Sequence, residues 1–171
     1  TFASKGKTLF AGTEAGVYIS IDDGATWSSS STGMKNNDII TAITFSSDQN
    51  TIFAGTRNVS NDGGIYRSND GGATWQLTNS GLTSLAINAL FTNSSQVLTG
   101  TSLGIGRSSN NGNSWQTVSD GLPKPAVSCL GAIYTIMFAG TPGSYLFRTD
   151  DAGDHWMQYR NGITQKNVNA I

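Results

Sequence analysis

The chain has 171 residues, a net charge of -1 and 12% charged residues, with 10 Lys+Arg against 11 Asp+Glu. That balance excludes nucleic acid as a main partner, because phosphate recognition needs a basic surface. No apolar run approaches the roughly 20 residues of a membrane span, and the length suffices for one domain, 1–171, with a real core.

The first marked stretch in chain order is SIDDGATW at 20–27, which returns as SNDGGATW at 68–75, SSNNGNSW at 108–115 and TDDAGDHW at 149–156. Trp27, Trp75, Trp115 and Trp156 share one register: each is followed six residues later by glycine (Gly33, Gly81, Gly121, Gly162). Each is also preceded by a Gly-Thr pair, at 12–13, 55–56, 100–101 and 140–141. Fixed spacing in four places is the mark of a repeat architecture.

The second unit shows four strand-like stretches: IITAITF (39–45), TIFAGT (51–56), GIYRS (64–68) and TWQLT (74–78). Short β-rich runs between turn residues read as antiparallel strands, and no helical period is sustained. Four such strands per unit of about 40 residues predict propeller blades, in units of approximately 1–43, 44–90, 91–130 and 131–171. The first strand of each unit is the most apolar, as in INALF (87–91) and VSCLGAI (127–133), which suits the innermost position. Cys129 lies in that last run and is expected to pack as a small hydrophobe. It has no partner cysteine, so the redox compartment stays open.

The ends are in phase. Ile171 aligns with Ile43 and Thr1 with Thr44, so NVNAI read into TFASKGKTLFAGT continues the repeat. Either the last strand completes the first blade of a closed four-bladed ring, or the chain is part of a larger propeller. A homo-oligomer through strand completion at the chain ends is a third consequence. The start at Thr1 rather than Met points to a processed product or a cut piece. A surface rich in Ser, Thr, Asn and Gly suits an exported, extracellular or periplasmic bacterial protein.

The eight-residue stretch falls between the third and fourth strands, where a hairpin turn is required. Gly24, Gly72, Gly112 and Gly153 can take the positive φ of such a turn. Asp22, Asp70 and Asp151, with Asn110 in the third unit, can accept backbone N–H groups inside it. Ser20, Ser68 and Ser108 add hydroxyls, with Thr149 in the fourth. Thr26, Thr74 and Ser114 precede the tryptophans, which are expected to bury a large surface, of order 150–250 Å² each. The role read from these residues is structural.

The pattern S-x-D-x-G-x-T-W resembles the Asp-box, or bacterial neuraminidase repeat. The first two copies match fully; the third departs at Asn110 and Ser114, the fourth at Thr149 and His155. The resemblance implies an all-β propeller of four Asp-box blades, each of four antiparallel strands. Similar repeats occur in sialidases, xyloglucan hydrolases, sortilin-type receptors and photosystem II assembly factors, so the resemblance leaves function open. In those families the box lies on the rim away from the active face.

Function would then sit on the opposite face, where the connecting loops differ: GMKNNDI (33–39), GLTSLAI (81–87), GLPKPAV (121–127) and GITQKNV (162–168), with RNVSNDGG (57–64) inserted in unit two. Variable loops on a repeated scaffold are where binding lives. The candidate ligand-binding residues are Glu14, Lys35, Asp38, Arg57, Asn58, Asp62, Lys124 and Lys166.

No catalytic set is legible. Glu14, Asp38 and Asp62 read as solvated loop acids rather than a glycosidase pair. Arg67, Arg107 and Arg148 occupy one repeated position and cannot converge as a sialidase arginine triad would; they read as structural. The single histidine, His155, provides neither metal cluster nor triad, and no metal or cofactor is expected. The leading expectation is a non-catalytic binding or scaffold module with a protein or carbohydrate ligand. The alternatives are a fragment of a sialidase-like or xyloglucanase-like hydrolase with its catalytic residues elsewhere, an assembly factor resembling those of photosystem II, or a reconstructed or designed repeat protein.

Overall fold

A computed structural model of the chain describes residues 1–36, 38–57, 62–123 and 126–171. Its strands form four separate antiparallel four-stranded sheets in chain order. The first sheet holds β1 (Phe2–Lys5), β2 (Thr8–Thr13), β3 (Gly16–Ser20) and β4 (Ser28–Ser29). The second holds β5 (Ile39–Phe45), β6 (Ile52–Arg57), β7 (Ile65–Ser68) and β8 (Gln76–Leu77). The third holds β9 (Ile87–Thr92), β10 (Val97–Thr101), β11 (Gly104–Ser108) and β12 (Gln116–Thr117). The fourth holds β13 (Cys129–Ile133), β14 (Ile136–Thr141), β15 (Tyr145–Thr149) and β16 (Met157–Tyr159).

Neighbouring sheets pack through their first strands, β1 on β5, β5 on β9 and β9 on β13, so the most apolar strand of each unit is innermost. The glycine of each Gly-Thr pair permits this approach. A Cβ at Gly12 would overlap Ile40, one at Gly55 would overlap Ile87, and one at Gly100 would overlap Val127. At Gly140 a Cβ would overlap Cys129 Sγ of its own sheet first and then Val168, which holds the place that Ile40, Ile87 and Val127 hold at the other three. The core therefore lies between sheets: Phe10, Ile40, Tyr66 and Trp75 share one cluster, and Leu98, Val127, Phe147 and Trp156 another.

Each turn between the third and fourth strands also grips the sheet before it. Trp75 Nε1–H donates to Ser30 O at 2.8 Å, Trp115 to Thr78 O at 2.7 Å and Trp156 to Val118 O at 3.0 Å. The backbone N–H groups of the same tryptophans donate to Thr32, Ser80 and Asp120. The loop glycines Gly33, Gly81 and Gly121 lie flat against those tryptophan backbones, where a Cβ would strike the carbonyl oxygen.

The sequence expectation that all four tryptophans are buried needs correction. Trp75, Trp115 and Trp156 are 2%, 5% and 2% exposed, but Trp27 is 41% exposed and donates only to Gly24 of its own turn. Among the described residues no sheet packs over Trp27. Cys129 is half-buried rather than fully enclosed, and burial pushes its thiol upward.

Closure of the fourth sheet onto the first is not seen among the described residues. The first strand also departs from the expected phase. Gly6 (φ +58°) makes a two-residue turn that sets Phe2 opposite Ala11. In the second sheet the residue opposite the equivalent Ala54 is Ile43, and Phe45 lies opposite Ile52. Phe2 thus occupies the place of Ile43 rather than that of Phe45, and β1 is displaced by two residues.

Candidate functional site

The eight-residue turns first show what they are built to do. Ser20 Oγ–H donates to Asp22 Oδ1 at 2.7 Å and accepts Gly24 N–H at 2.9 Å. Thr26 donates its N–H to Asp22 Oδ1 at 2.9 Å and its hydroxyl to Oδ2 at 2.6 Å. Ser68, Asp70, Gly72 and Thr74 repeat this pattern. The Thr26 and Thr74 hydroxyls, followed by their N–H groups and the serines, hold Asp22 and Asp70 down at about 2. In the third turn Asn110 accepts Ser114 N–H and donates from Nδ2 to Ser114 Oγ at 2.8 Å, so an amide serves where charge is absent. Ser108 Oγ–H donates to the Asn110 carbonyl and accepts Gly112 N–H.

In the fourth turn Thr149 takes the serine's role toward Asp151 and Gly153, and His155 takes the threonine's. His155 Nδ1 lies 2.7 Å from Asp151 Oδ2. The His155 N–H, then the Thr149 hydroxyl and the imidazole, hold Asp151 well below the ordinary carboxylate range, and Asp151 in return raises His155. The raised histidine favours the folded turn below its ordinary value of 6.5, and this contribution disappears as pH climbs through the raised value. The depressed aspartate favours the turn above 3.8, and that contribution disappears as pH falls through its lowered value. The turn is therefore best held between those two ordinary values. An NMR titration of the His155 ring should give a midpoint above that of a free histidine, and Asp151→Asn should return it toward the free value. An unshifted midpoint in the unmodified chain would remove the ion pair from this account.

On the opposite face, the β2–β3, β6–β7, β10–β11 and β14–β15 turns join the connections that lead into β5, β9 and β13. A cleft of about 560 Å³ opens there, lined by Thr41, Arg57, Ala86, Asn88, Ser102, Ala126, Ser128 and Pro142. Thr41, Asn88 and Ser128 hold one repeated position at the mouth of the inner strands. The ladders slip at Thr41 and Asn88, between Ile40 and Ala42 and between Ile87 and Ala89. Such bulges re-aim side chains. Two of these groups tie their sheet to the next, Thr41 Oγ1 to Ile87 O at 2.6 Å and Asn88 Nδ2 to Val127 O at 3.1 Å, and Ser128 Oγ donates to Val168 O of the C-terminal segment at 2.5 Å. These bonds fix a rigid polar floor, and Arg57 stands exposed at its edge.

Of the eight candidate ligand residues, Arg57 lines the cleft. Asn58 and Lys124 lie outside the described residues. Lys35, Asp38 and Asp62 come together, but as a brace. Lys35 Nζ pairs with Asp62 at 2.7 Å on the surface, and its N–H donates to Asp38 Oδ2 at 3.2 Å and lies 3.2 Å from Tyr66 Oη. Asp38 is 1% exposed, which corrects its reading as a solvated loop acid. Burial, then the hydrogen bond to Asp38, pushes the Tyr66 phenol up to about 12. Glu14 is exposed on the β2–β3 turn, and Lys166 is exposed with its carbonyl accepting Tyr145 N–H; neither lines the cleft. Thr41, Asn88, Ser102 and Ser128 escaped the sequence reading. For Thr41, Asn88 and Ser128 the signal was available: a polar residue directly after the Ile40, Ile87 or Val127 of each inner stretch.

Arg67 and Arg107 are spread along the other rim and do not converge. Arg67 donates to Asn111 O and Asn113 Oδ1, and Arg107 to Ala152 O and Asp154 Oδ1, in each case on the next sheet's turn. Ile19 holds the equivalent place in the first sheet. With no guanidinium to fill it, a groove of about 490 Å³ remains between sheets one and two, walled by Ile19, Phe45, Asp70 and Gly71. Among the described residues, no group of three His, Cys, Asp or Glu side chains could hold a metal ion.

No family model and no curated protein matches the chain. Solved structures do. The chain is similar to the GH74 xyloglucanase of Xanthomonas campestris at 15% identity and a TM-score of 0.73, covering 96% of this chain and 32% of that one. It is similar to YCF48 bound to D1 peptide at 16% identity and TM-score 0.69 (95% and 52%). It is similar to the computationally designed Ika8 protein at 19% identity and TM-score 0.71 (99% and 50%). The chain has a β-propeller fold. It spans a third to a half of the length of these proteins. Among the described residues, no helix is long and apolar enough to cross a membrane.

Proposed function

We propose that the chain is a non-catalytic Asp-box propeller module, exported to an extracellular or periplasmic site, that binds a polar ligand in the Arg57 cleft. The observation that carries this reading is the cleft itself: hydroxyl and amide groups anchored to the backbone of successive sheets, beside one exposed guanidinium. Preorganised donors of this kind suit the hydroxyls of a glycan or the backbone of a peptide, and the guanidinium adds a carboxylate contact. The peptide-bound YCF48 structure supports a protein ligand, and the xyloglucanase a glycan. The engagement of Asp38 and Asp62 in the brace favours binding over a carboxylate pair for hydrolysis.

The test is a binding screen of the chain against a xyloglucan oligosaccharide and a panel of carboxylate-terminated peptides. Arg57→Ala and Asn88→Ala should each weaken a positive interaction roughly tenfold or more, the scale of a lost charge-assisted or buried hydrogen bond. Binding unchanged in both variants would displace the site from this cleft. The second reading, a piece of a xyloglucanase-like hydrolase, rests on the fold shared with that enzyme. Release of sugar by the 171-residue chain alone would establish catalysis within it.

A further inference from the structure

On the rim that carries the eight-residue turns, a guanidinium closes two of the three joints between neighbouring sheets. Arg67 donates to Asn111 O at 2.9 Å and to Asn113 Oδ1 at 2.6 Å. Arg107 donates to Ala152 O at 3.1 Å and to Asp154 Oδ1 at 2.7 Å. Each arginine therefore uses a main-chain carbonyl at the fourth place of the next turn and a side-chain oxygen at the sixth.

The joint between sheets one and two lacks the donor and the second acceptor. Ile19 stands in the arginine's place, and Ala73 in the place of Asn113 and Asp154. The first acceptor remains. Gly71 provides the carbonyl at the fourth place, and its φ of +70° matches the left-handed conformation of Asn111 (+55°) and Ala152 (+61°). Among the described residues no donor reaches Gly71 O. What an arginine fills in the other two joints is here the groove of about 490 Å³.

The lining suits a cation on an apolar stem. Phe10 and Ile52 form a buried floor, with Ile19 and Phe45 half-buried beside it. Asp70 stands in the wall next to Gly71, and the Thr74 hydroxyl and N–H hold its carboxyl down at about 2, so it is charged at neutral pH. The other charged group of the lining is Lys5, whose ammonium is spent on Gln49 O at 2.6 Å, on the β5–β6 hairpin. Coulomb forces therefore draw the positive end of an occupant toward Asp70 and Gly71 and away from Lys5.

We propose that this groove binds an arginine side chain carried by a segment of a partner protein, which supplies from outside the guanidinium that Arg67 and Arg107 supply from within. The aliphatic stem lies along Ile19 and Phe45, as long cationic side chains cover apolar surface with their methylenes. The guanidinium donates to Gly71 O and pairs with Asp70, and the Phe45 ring adds a cation–π contact. Lysine fits less well, because a single ammonium lacks the planar fork that bonds a carbonyl and a carboxylate together. The groove lies on the rim opposite the Arg57 cleft, so this inference does not depend on the ligand proposed there.

An NMR titration of the 171-residue chain with arginine blocked as its N-acetyl methylamide, a mimic of an arginine within a peptide, tests this. The amide signals of Ile19 and Gly71 should move saturably, with a dissociation constant on the order of 1 mM, the affinity open to a ligand of that size. Blocked lysine and blocked norleucine should bind about fivefold more weakly or worse. Nuclear Overhauser contacts from the stem methylenes to the Phe45 ring place the probe in the unmodified chain. Ile19→Arg, which installs the side chain that β7 and β11 carry at this position, should fill the groove and weaken probe binding about tenfold or more, with the circular dichroism of the sheets retained. If that variant does not fold, the contacts to Phe45 decide the matter alone. The proposal is overturned by the absence of a saturable shift, by contacts elsewhere than Phe45, by equal binding of the lysine or norleucine probe, or by a folded Ile19→Arg chain that binds as before. Tighter binding of free arginine than of the blocked form would assign the groove to the amino acid and remove the partner segment.

Discussion

Trp75→Ala should lower the free energy of unfolding by about 3–5 kcal/mol, the range for removing a buried aromatic. The indole is 2% exposed and lies in the cluster that joins Phe10 of the first sheet to Ile52 and Tyr66 of the second. Its truncation opens a cavity between two sheets and also strands the Ser30 carbonyl, whose partner is the indole N–H at 2.8 Å. A buried acceptor left without its donor adds to the cost. For a chain of this length each kcal/mol corresponds to about 2–4 °C, so the loss is readable by calorimetry. Trp115→Ala should behave alike, since Trp115 bridges the second and third sheets in the same way. Trp27→Ala should cost far less, because that indole is 41% exposed and bonds only within its own turn. Equal losses at Trp27 and Trp75 would show that the tryptophans stabilise their own turns rather than the joints between sheets.

That contrast marks what the sequence could convey. The stretch IITAITF coincides with β5, and the Gly-Thr pairs fall at the ends of β2, β6, β10 and β14, because apolar alternation and turn glycines are local properties of a chain. The hydrogen bonds inside the eight-residue turns are equally local: Ser20, Asp22, Gly24 and Thr26 are at most six residues apart. What failed depends on neighbours distant in sequence. Asp38 looks like any loop acid until Tyr66 is folded against it. Trp27 has the same local motif as Trp75, and its exposure follows only from which sheets pack against it. The displaced β1 is invisible in an alignment because Thr1 to Thr13 align with Thr44 to Thr56 without a gap. The difference lies at Gly6, whose positive φ allows a two-residue turn where the second unit has Gln49. The cleft was half legible. Its face and Arg57 followed from the variable loops, whereas the polar floor of Thr41, Asn88 and Ser128 lay in the repeated part, where a binding residue was not sought.

Gly81→Ala should be strongly damaging, with an expected loss of more than about 3 kcal/mol. Two costs combine. Gly81 holds φ +87°, where an alanine pays roughly 1–2 kcal/mol for the left-handed conformation. The added Cβ would also strike the carbonyl oxygen of Trp115. Relief requires the third sheet's turn to move away from the second sheet, and three contacts move with it. These are the 2.8 Å bond from Trp115 N–H to Ser80 O, the indole bond to Thr78 O and the bond from Thr78 Oγ1 to Gly112 O. Gly143→Ala supplies the control. Its φ is +81°, but nothing lies within 4 Å of a Cβ there, so it carries the backbone cost alone. The difference between the two variants in chemical denaturation therefore isolates the close approach between sheets. A large difference means that the conserved spacing of each glycine, six residues after its tryptophan in every unit, serves the joint with the next sheet and not the conformation of its own loop. Similar losses at Gly81 and Gly143 would assign the repeated glycine to loop geometry, and the flat seat under each tryptophan would lose its role in holding the arc together.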